Sequence, residues 1–188
     1  MEKEFLKEVR NGHYEVADNG LYLPRAKVLL GGVFTHELYR GGELIDVQSD
    51  SNTVVNEGLN HILNVVFHGG TQVPTWYIGL FEGNYTPQPT DTAANIATNA
   101  TESTAYSETA RPTWTEAAAA SQQITNSASK ATFTINATKT IYGAFLISNS
   151  TKSGTTGTLA AASKFAASRA VVSADQLLIT YTLTAADA

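Results

Sequence analysis

The segment Thr75–Phe81, with the sequence TWYIGLF, constrains the fold most, because its apolar residues are not confined to alternate positions. The side chains of a β-strand point to its two faces in turn. One face would therefore hold Trp76, Ile78 and Leu80, and the opposite face Tyr77 and Phe81. A strand that is apolar on both faces lies inside a layered structure, so we predict that this segment is a central strand and not an edge.

Much of the remaining chain has the composition and alternation of β-strands. The runs KVLLGGVFTHELYR and GELIDVQ are joined by Arg40-Gly41-Gly42, which has the composition of a hairpin turn. The pair Gly31-Gly32 within the first run indicates a bulge or a sharp bend. In the last third, TFTIN and LLITYTL alternate apolar and polar residues. About eight strands around one helix predict a mainly β fold, an antiparallel β-sandwich or jelly-roll-like domain, over residues 25–188.

One internal helix is predicted for about residues 54–67. Its apolar residues recur at helical spacing, at Val55, Leu59, Ile62, Leu63 and Val66. The preceding SDSNT offers several N-caps, and Gly69-Gly70 is a typical helix end. This segment is the clearest helical signal inside the β-rich part of the chain.

The segment at about 82–120 is predicted to be a long loop. It is rich in Thr, Ala and Asn and nearly free of aliphatic residues, apart from a short possible strand around Arg111–Thr115. Long loops without structure of their own are unusual in compact domains and are often functional or mobile. We interpret this loop as a contact with a neighbouring molecule.

Residues 1–24 differ from the rest of the chain. MEKEFLKEVR alternates the sign of its charges and places Phe5, Leu6 and Val9 at helical spacing, and two Asn-Gly pairs and a proline follow. This pattern predicts a short helix that leads into an extended arm, with a terminus that does not pack as the alternative.

Composition argues against several classes of partner and site. The net charge is −5 with no Lys/Arg cluster, so nucleic-acid binding is not expected. Cysteine is absent, which removes disulfides and thiolate metal sites. No apolar run approaches the roughly 20 residues that span a bilayer, and no secretory signal follows the polar start. We therefore expect synthesis in the cytoplasm and no membrane contact.

No motif for catalysis or metal binding stands out. His36 and Glu37 are adjacent on a predicted strand and would point to opposite faces. Glu57, His61 and His68 are spaced along the helix, but no two-histidine helical motif occurs. The chain also lacks a GxSxG elbow and a phosphate-binding glycine loop. We predict a protein that is not an enzyme and that binds no cofactor or metal.

Aromatic residues, apolar residues of the arm and one arginine are the candidates for a partner interface, since such side chains dominate binding energy at interfaces. Arg111 and Trp114, in ARPTWTE, could either contact a partner or clamp the long loop to the sheet. The full set of candidates is Phe5, Leu6, Tyr14, Tyr22, Tyr85, Tyr106, Arg111 and Trp114.

The order of several segments resembles a group of tailed-phage virion proteins, the capsid cement, decoration or head-fibre proteins. The segments are VVNEGLNHILNVVFHGG, TWYIGLF, the following loop, ARPTWTEA, and GTLAAASKF with VVSADQLLITYTL, and together they cover about residues 50–188. The resemblance implies a jelly-roll-like domain that forms a small homo-oligomer, a trimer or a dimer. It also implies a place on the outside of the virion shell, bridging subunits of the major capsid protein.

Two other functions fit the sequence. A tail or fibre protein could bind a host receptor or glycan through Tyr85, Tyr106 and Trp114 as a stacking platform. A small hydrolase could use one of the many serines with His36 or His61. Fold alone does not choose among these functions.

Overall fold

The computed structural model describes residues 28–187, together with Lys3 and the short segments Tyr14–Val16 and Tyr22–Pro24. These residues form thirteen strands and two helices. The chain divides into two compact units, one made of Met1–Leu30 with Ala185–Ala188 and the other of Gly31–Thr184. The strands are β1 (Tyr14–Val16), β2 (Tyr22–Pro24), β3 (Val28–Arg40), β4 (Glu43–Ser51), β5 (Thr53–Val54), β6 (Trp76–Phe81), β7 (Glu102–Ser103), β8 (Thr113–Trp114), β9 (Gln123–Thr125), β10 (Ala131–Thr134), β11 (Lys139–Ile147), β12 (Leu159–Val171) and β13 (Gln176–Asp187). The helices are α1 (Asn56–Phe67) and α2 (Ile96–Asn99).

In the first unit, β1 and β2 form a two-stranded antiparallel sheet with Tyr14 opposite Pro24 and Val16 opposite Tyr22. The sequence predicted an extended arm in this region, and its described part is this strand pair. Lys3 is helical, but the rest of the helix predicted around Phe5 and Leu6 lies outside the described residues.

The second unit is a β-sandwich, as the sequence predicted. One sheet has the strand order β10-β13-β3-β4, with β9 paired to β13. The other has the order β5-β12-β11-β6-β7, with β8 paired to β6. The strand pairs for which a register is defined are all antiparallel.

The prediction that TWYIGLF is a central strand is confirmed. As β6, it pairs with β11 on one side and with β7 and β8 on the other. Ile78 and Leu80 belong to the hydrophobic cluster that the two sheets share, and Phe81 belongs to a second cluster on the opposite face. The two apolar faces of this strand therefore pack in two separate cores.

The core between the sheets is built from alternating residues of both. The five-stranded sheet contributes large residues such as Phe34 and Phe133, and the six-stranded sheet contributes residues such as Leu146 and Phe165, all of them buried. Phe34 also stacks on Tyr181, with ring centroids 4.3 Å apart. This alternation is the arrangement expected of two packed antiparallel sheets.

The segment predicted to be a long loop, at about 82–120, is mostly irregular but has short elements of its own. It contains α2, β7 and β8, and its residues Ala93, Ile96 and Ala100 are buried in the second cluster with Phe145. The segment therefore covers the outer face of the six-stranded sheet. Its small Ala and Thr side chains are suited to this position, since they allow the backbone to lie close to the sheet.

Two glycines make room for phenylalanine rings across the β6–β11 pair. Gly79 lies opposite Phe145 in the register, and Gly143 lies opposite Phe81. A methyl group added at either glycine would overlap the ring of its cross-strand partner. Gly32 also makes room for an aromatic side chain, since an added methyl group would lie 2.6 Å from the Tyr181 hydroxyl. Gly31, in contrast, has open space around it. The β3–β4 register, which covers Val33–Arg40, has its shift between Leu38 and Tyr39 and does not include this glycine pair.

Candidate interaction surface

Three of the sequence-predicted interface residues are buried inside the chain, which corrects their assignment to a partner surface. Tyr106, Arg111 and Trp114 are at most 5% exposed. Arg111 and Trp114 make their polar side-chain contacts within the chain, so the clamp alternative is the one that the structure shows for these two residues. Burial also removes Tyr106 and Trp114 from the stacking platform expected of a glycan-binding protein.

Arg111 forms a buried bidentate ion pair with Glu102. Its Nε donates to Oε1 at 2.8 Å and its Nη2 donates to Oε2 at 2.6 Å. The guanidinium also donates to the carbonyl oxygens of Asn149 and Gly154, at 2.8 and 3.1 Å. The pair therefore ties the 82–120 segment to the loop that joins β11 to β12.

Trp114 and Tyr106 are held by the sandwich in a similar way. The Trp114 indole Nε1 donates to the carbonyl oxygen of Tyr181 at 3.0 Å. The Tyr106 ring meets the edge of Phe133, and Lys152 lies above it, 3.8 Å from the ring centre. Burial strongly raises the pKa of the Tyr106 hydroxyl, since an ionised phenolate would be costly there.

The other predicted interface residues differ in how far the structure describes them. Tyr85 is half-buried, and its hydroxyl donates to the Asp91 carboxylate at 2.9 Å. Tyr14 and Tyr22 lie in β1 and β2, but their side chains are outside the described part of the chain. Phe5 and Leu6 lie outside it entirely.

His36, a candidate base for a hydrolase, is fully buried and uses both of its ring nitrogens. Nε2 lies 2.8 Å from the Asp50 carboxylate, and Nδ1 accepts from Arg169 Nε at 2.8 Å. Since the guanidinium can only donate, the proton of the neutral ring is on Nε2, and Nδ1 has no free lone pair for a substrate. Burial lowers the pKa of His36, and its ring stacks on Phe165 with centroids 3.7 Å apart.

The described residues offer neither a metal site nor a membrane-spanning helix. Within the described residues, no three His, Asp or Glu side chains are grouped so that they could hold a metal ion. None of the helices described is long and apolar enough to cross a membrane.

The surface that sequence analysis missed is on α1. We define the α1 stripe as Leu59, Ile62, Leu63, Val66 and Phe67, which follow the i, i+3, i+4, i+7, i+8 pattern of one helix face. Leu63, Val66 and Phe67 are 54%, 62% and 81% exposed, and the other two are half-buried. The predicted helix is confirmed, but much of its strongest apolar face points to solvent.

The rotation of α1 has a local cause. Gly58 is its one buried residue, and a methyl group there would lie 2.5 Å from the carbonyl oxygen of Ala160 in β12. The glycine therefore allows this side of the helix to touch the backbone of the sheet. On the same side, His61 meets the edge of Trp76 with centroids 5.6 Å apart, while Leu63, Val66 and Phe67 of the α1 stripe are exposed to solvent.

The first turn of α1 is anchored by a carboxylate. Glu57 Oε2 accepts from the backbone N–H groups of Ala93 and Leu159, at 2.8 and 2.7 Å. These contacts fix the helix against both the 82–120 segment and β12. The α1 stripe therefore belongs to a helix that is anchored to the rest of the fold.

A shallow apolar groove of about 210 Å³ runs beside the α1 stripe. Its walls are almost entirely uncharged, and no Asp, Glu, Lys or Arg occurs between Gly58 and Phe81. Such apolar concave surfaces are typical of binding sites. The groove is lined by Gly58, His61, Ile62, Val65, Val66, Gln72, Val73, Trp76, Trp114, Leu146, Ala160 and Leu183.

A second exposed apolar area lies on β4, which ends its sheet. We define the β4 strip as Leu44, Ile45 and Val47, which are between 46% and 52% exposed. At about 3.3 Å per residue, Ile45 lies about 20 Å along the strand from Ser51, and the chain continues from there through β5 to α1. The strip and the stripe are therefore separate surfaces.

A signal for the α1 stripe was present in the sequence. The helix contains Val65, Val66 and Phe67 in succession, so its apolar residues span more than the one face that packing on a sheet can bury.

Comparison with protein-family models and with curated proteins found no match for this chain.

Proposed function

We propose that this protein is a structural component of a tailed-phage virion that binds the outside of the capsid and cements neighbouring subunits of the major capsid protein. The resemblance of residues 50–188 to cement and decoration proteins supports this role. The observation that best supports it is the presence of two separate exposed apolar surfaces, the α1 stripe and the β4 strip, on one rigid β-sandwich. Exposed apolar areas on a folded domain are typical of protein–protein contacts.

Two surfaces matter because a cement molecule must hold more than one neighbour at once. When one contact forms, it raises the effective concentration of the second, so modest contacts together make release rare. The low fraction of charged residues, 15%, favours such contacts because few charges must lose their water.

The buried polar network supports a structural role as well. Arg111 and Glu102 are held inside the fold by their ion pair, and both ring nitrogens of His36 are occupied by Asp50 and Arg169. The alternative is a tail or fibre protein that binds a host receptor. Tyr106 and Trp114, two of the three aromatic residues expected to form its binding platform, are buried.

The test is co-sedimentation of the purified protein with shells of the phage that encodes it, before and after shell expansion. We expect the protein to pellet with expanded shells at a saturating, fixed ratio to the major capsid protein. Val47→Asp, in the β4 strip, should weaken this binding about 30-fold or more if the strip is a central contact. Ala118→Asp is the matched control, because it adds the same charge at an exposed residue outside both surfaces.

Failure of the wild-type protein to bind any form of the shell would contradict the proposal. Binding to host cells in the same preparation, without binding to shells, would favour the receptor-binding alternative. Equal binding by Val47→Asp and Ala118→Asp would show that the β4 strip is not part of the contact.

A further inference from the structure

We propose that the α1 stripe is the interface of a two-fold symmetric homodimer, in which α1 of one copy packs antiparallel against α1 of a second copy. The occupant of the exposed stripe is thus the same surface of another chain. This inference goes beyond the role on a capsid, since it concerns how two copies associate in solution. The α1 stripe then contacts the second copy, and the dimer offers two β4 strips, one from each copy, to the shell.

The form of the stripe favours a helix as its partner. Leu59, Leu63 and Phe67 are spaced four residues apart, so they form a ridge of the kind that packs into the grooves of another helix. In an antiparallel pair centred on Leu63, Phe67 of one copy lies opposite Leu59 of the other. The most exposed side chain of α1 would then enter the end of the groove beside Gly58 and Ile62.

Charge favours a second copy of this chain over a charged partner. Each copy has a net charge of −5, so two copies can approach closely only through surfaces without like charges. Glu57 is the one formally charged residue of α1, and its carboxylate is occupied by two backbone N–H groups. In the dimer, the α1 stripe and the groove of one copy therefore contact the same surfaces of the other copy without placing like charges together.

The size of the contact is consistent with a dimer when the segment after the helix is included. The twelve residues of α1 span about 18 Å, which is short for an interface on its own. Residues 68–74 continue from the helix and are exposed apart from half-buried Val73. With these residues the contact can approach the roughly 800 Å² per partner of a standard interface.

The first experiment is sedimentation equilibrium of the full-length chain over a hundredfold range of concentration. We expect a monomer–dimer equilibrium that Leu63→Asp weakens about 30-fold or more, because it places two carboxylates at the centre of the interface. Val47→Asp is the matched control, since it puts the same charge on a similarly exposed apolar residue of the β4 strip, and it should leave the dimer intact. A wild-type monomer at every concentration, or an oligomer that Leu63→Asp does not weaken, would overturn the proposal.

The second experiment tests the symmetry and does not depend on a disruptive substitution. The chain has no cysteine, so Leu63→Cys introduces a single thiol close to the proposed two-fold axis, where two thiols can reach bonding distance. Mild oxidation should yield a disulfide-linked dimer of Leu63→Cys and much less of Val47→Cys. Equal yields for the two variants, or none for Leu63→Cys, would overturn the two-fold arrangement. Shell binding is measured separately, so a failed dimer and a failed capsid role give different results.

Discussion

Replacement of Arg111 by Met removes a charge from the interior while keeping much of the aliphatic stem. In the native protein, the Arg111 and Glu102 side chains are 0% and 1% exposed and share two short hydrogen bonds. The variant leaves the Glu102 carboxylate buried with the Ser153 N–H, at 2.9 Å, as its remaining partner. The carbonyl groups of Asn149 and Gly154 lose their guanidinium donor as well.

The expected loss of stability follows from this geometry. Removing one partner of a buried ion pair costs about 3–5 kcal/mol, because the other charge stays buried without compensation. For a chain of this size, 1 kcal/mol corresponds to about 2–4 °C in the unfolding temperature. We therefore expect Arg111→Met to unfold about 6–20 °C below the wild type.

Two control variants separate the effect of burial from the loss of any ion pair. Lys139→Met removes the Lys139–Glu82 pair, whose side chains are 40% and 24% exposed, and should cost about 1 kcal/mol or less. The double variant Arg111→Met with Glu102→Leu removes both buried charges and should be more stable than Arg111→Met alone.

Urea denaturation followed by tryptophan fluorescence is a suitable assay, because Trp114 is buried and Trp76 half-buried in the folded state. The free energies of unfolding of the four proteins are compared at one temperature. A loss of under about 1 kcal/mol for Arg111→Met, or a double variant less stable than the single one, would refute the reasoning.

Further predictions concern close packing and pH. Gly79→Ala should cost about 1–3 kcal/mol in the free energy of unfolding, since its methyl group overlaps the Phe145 ring, whereas Gly31→Ala, with open space around it, should be neutral or slightly stabilising. Equal denaturation midpoints for the two variants would contradict this explanation. Burial lowers the pKa of His36 in the folded protein below its ordinary 6.5. As the pH falls below 6.5, the unfolded chain therefore binds a proton that the folded chain does not. The free energy of unfolding then declines by up to about 1.4 kcal/mol per pH unit. His36→Gln should flatten this decline below about pH 6.5 in urea titrations at several pH values, and an unchanged slope would show that another group is responsible.

Local periodicity was enough to predict much of the fold. The alternation in TWYIGLF placed Ile78 and Leu80 on one face of a central strand and Phe81 on the other, as the structure confirms. The helix was predicted within two residues at its start. These features depend on neighbours along the chain, so the sequence displays them directly.

The interior role of the 82–120 segment could not be predicted in the same way. Its residues are small and polar, and they indicate a loop, yet Arg111 and Glu102 meet inside the protein. That meeting depends on the loop between β11 and β12, which lies some forty residues further along the chain and supplies the Asn149 and Gly154 carbonyls. Only the assembled sandwich brings these groups together.

The sequence by itself determined which residues share a face, and the tertiary structure decided which face is covered. On α1, spacing alone identifies the apolar stripe, but the contact of Gly58 with Ala160 sets the rotation that turns Leu63, Val66 and Phe67 to solvent. The physical reason is that a helix with apolar residues over a wide arc gains stability by burying any part of that arc. Close backbone packing at a glycine selects one part, and the remaining apolar surface is left for another molecule.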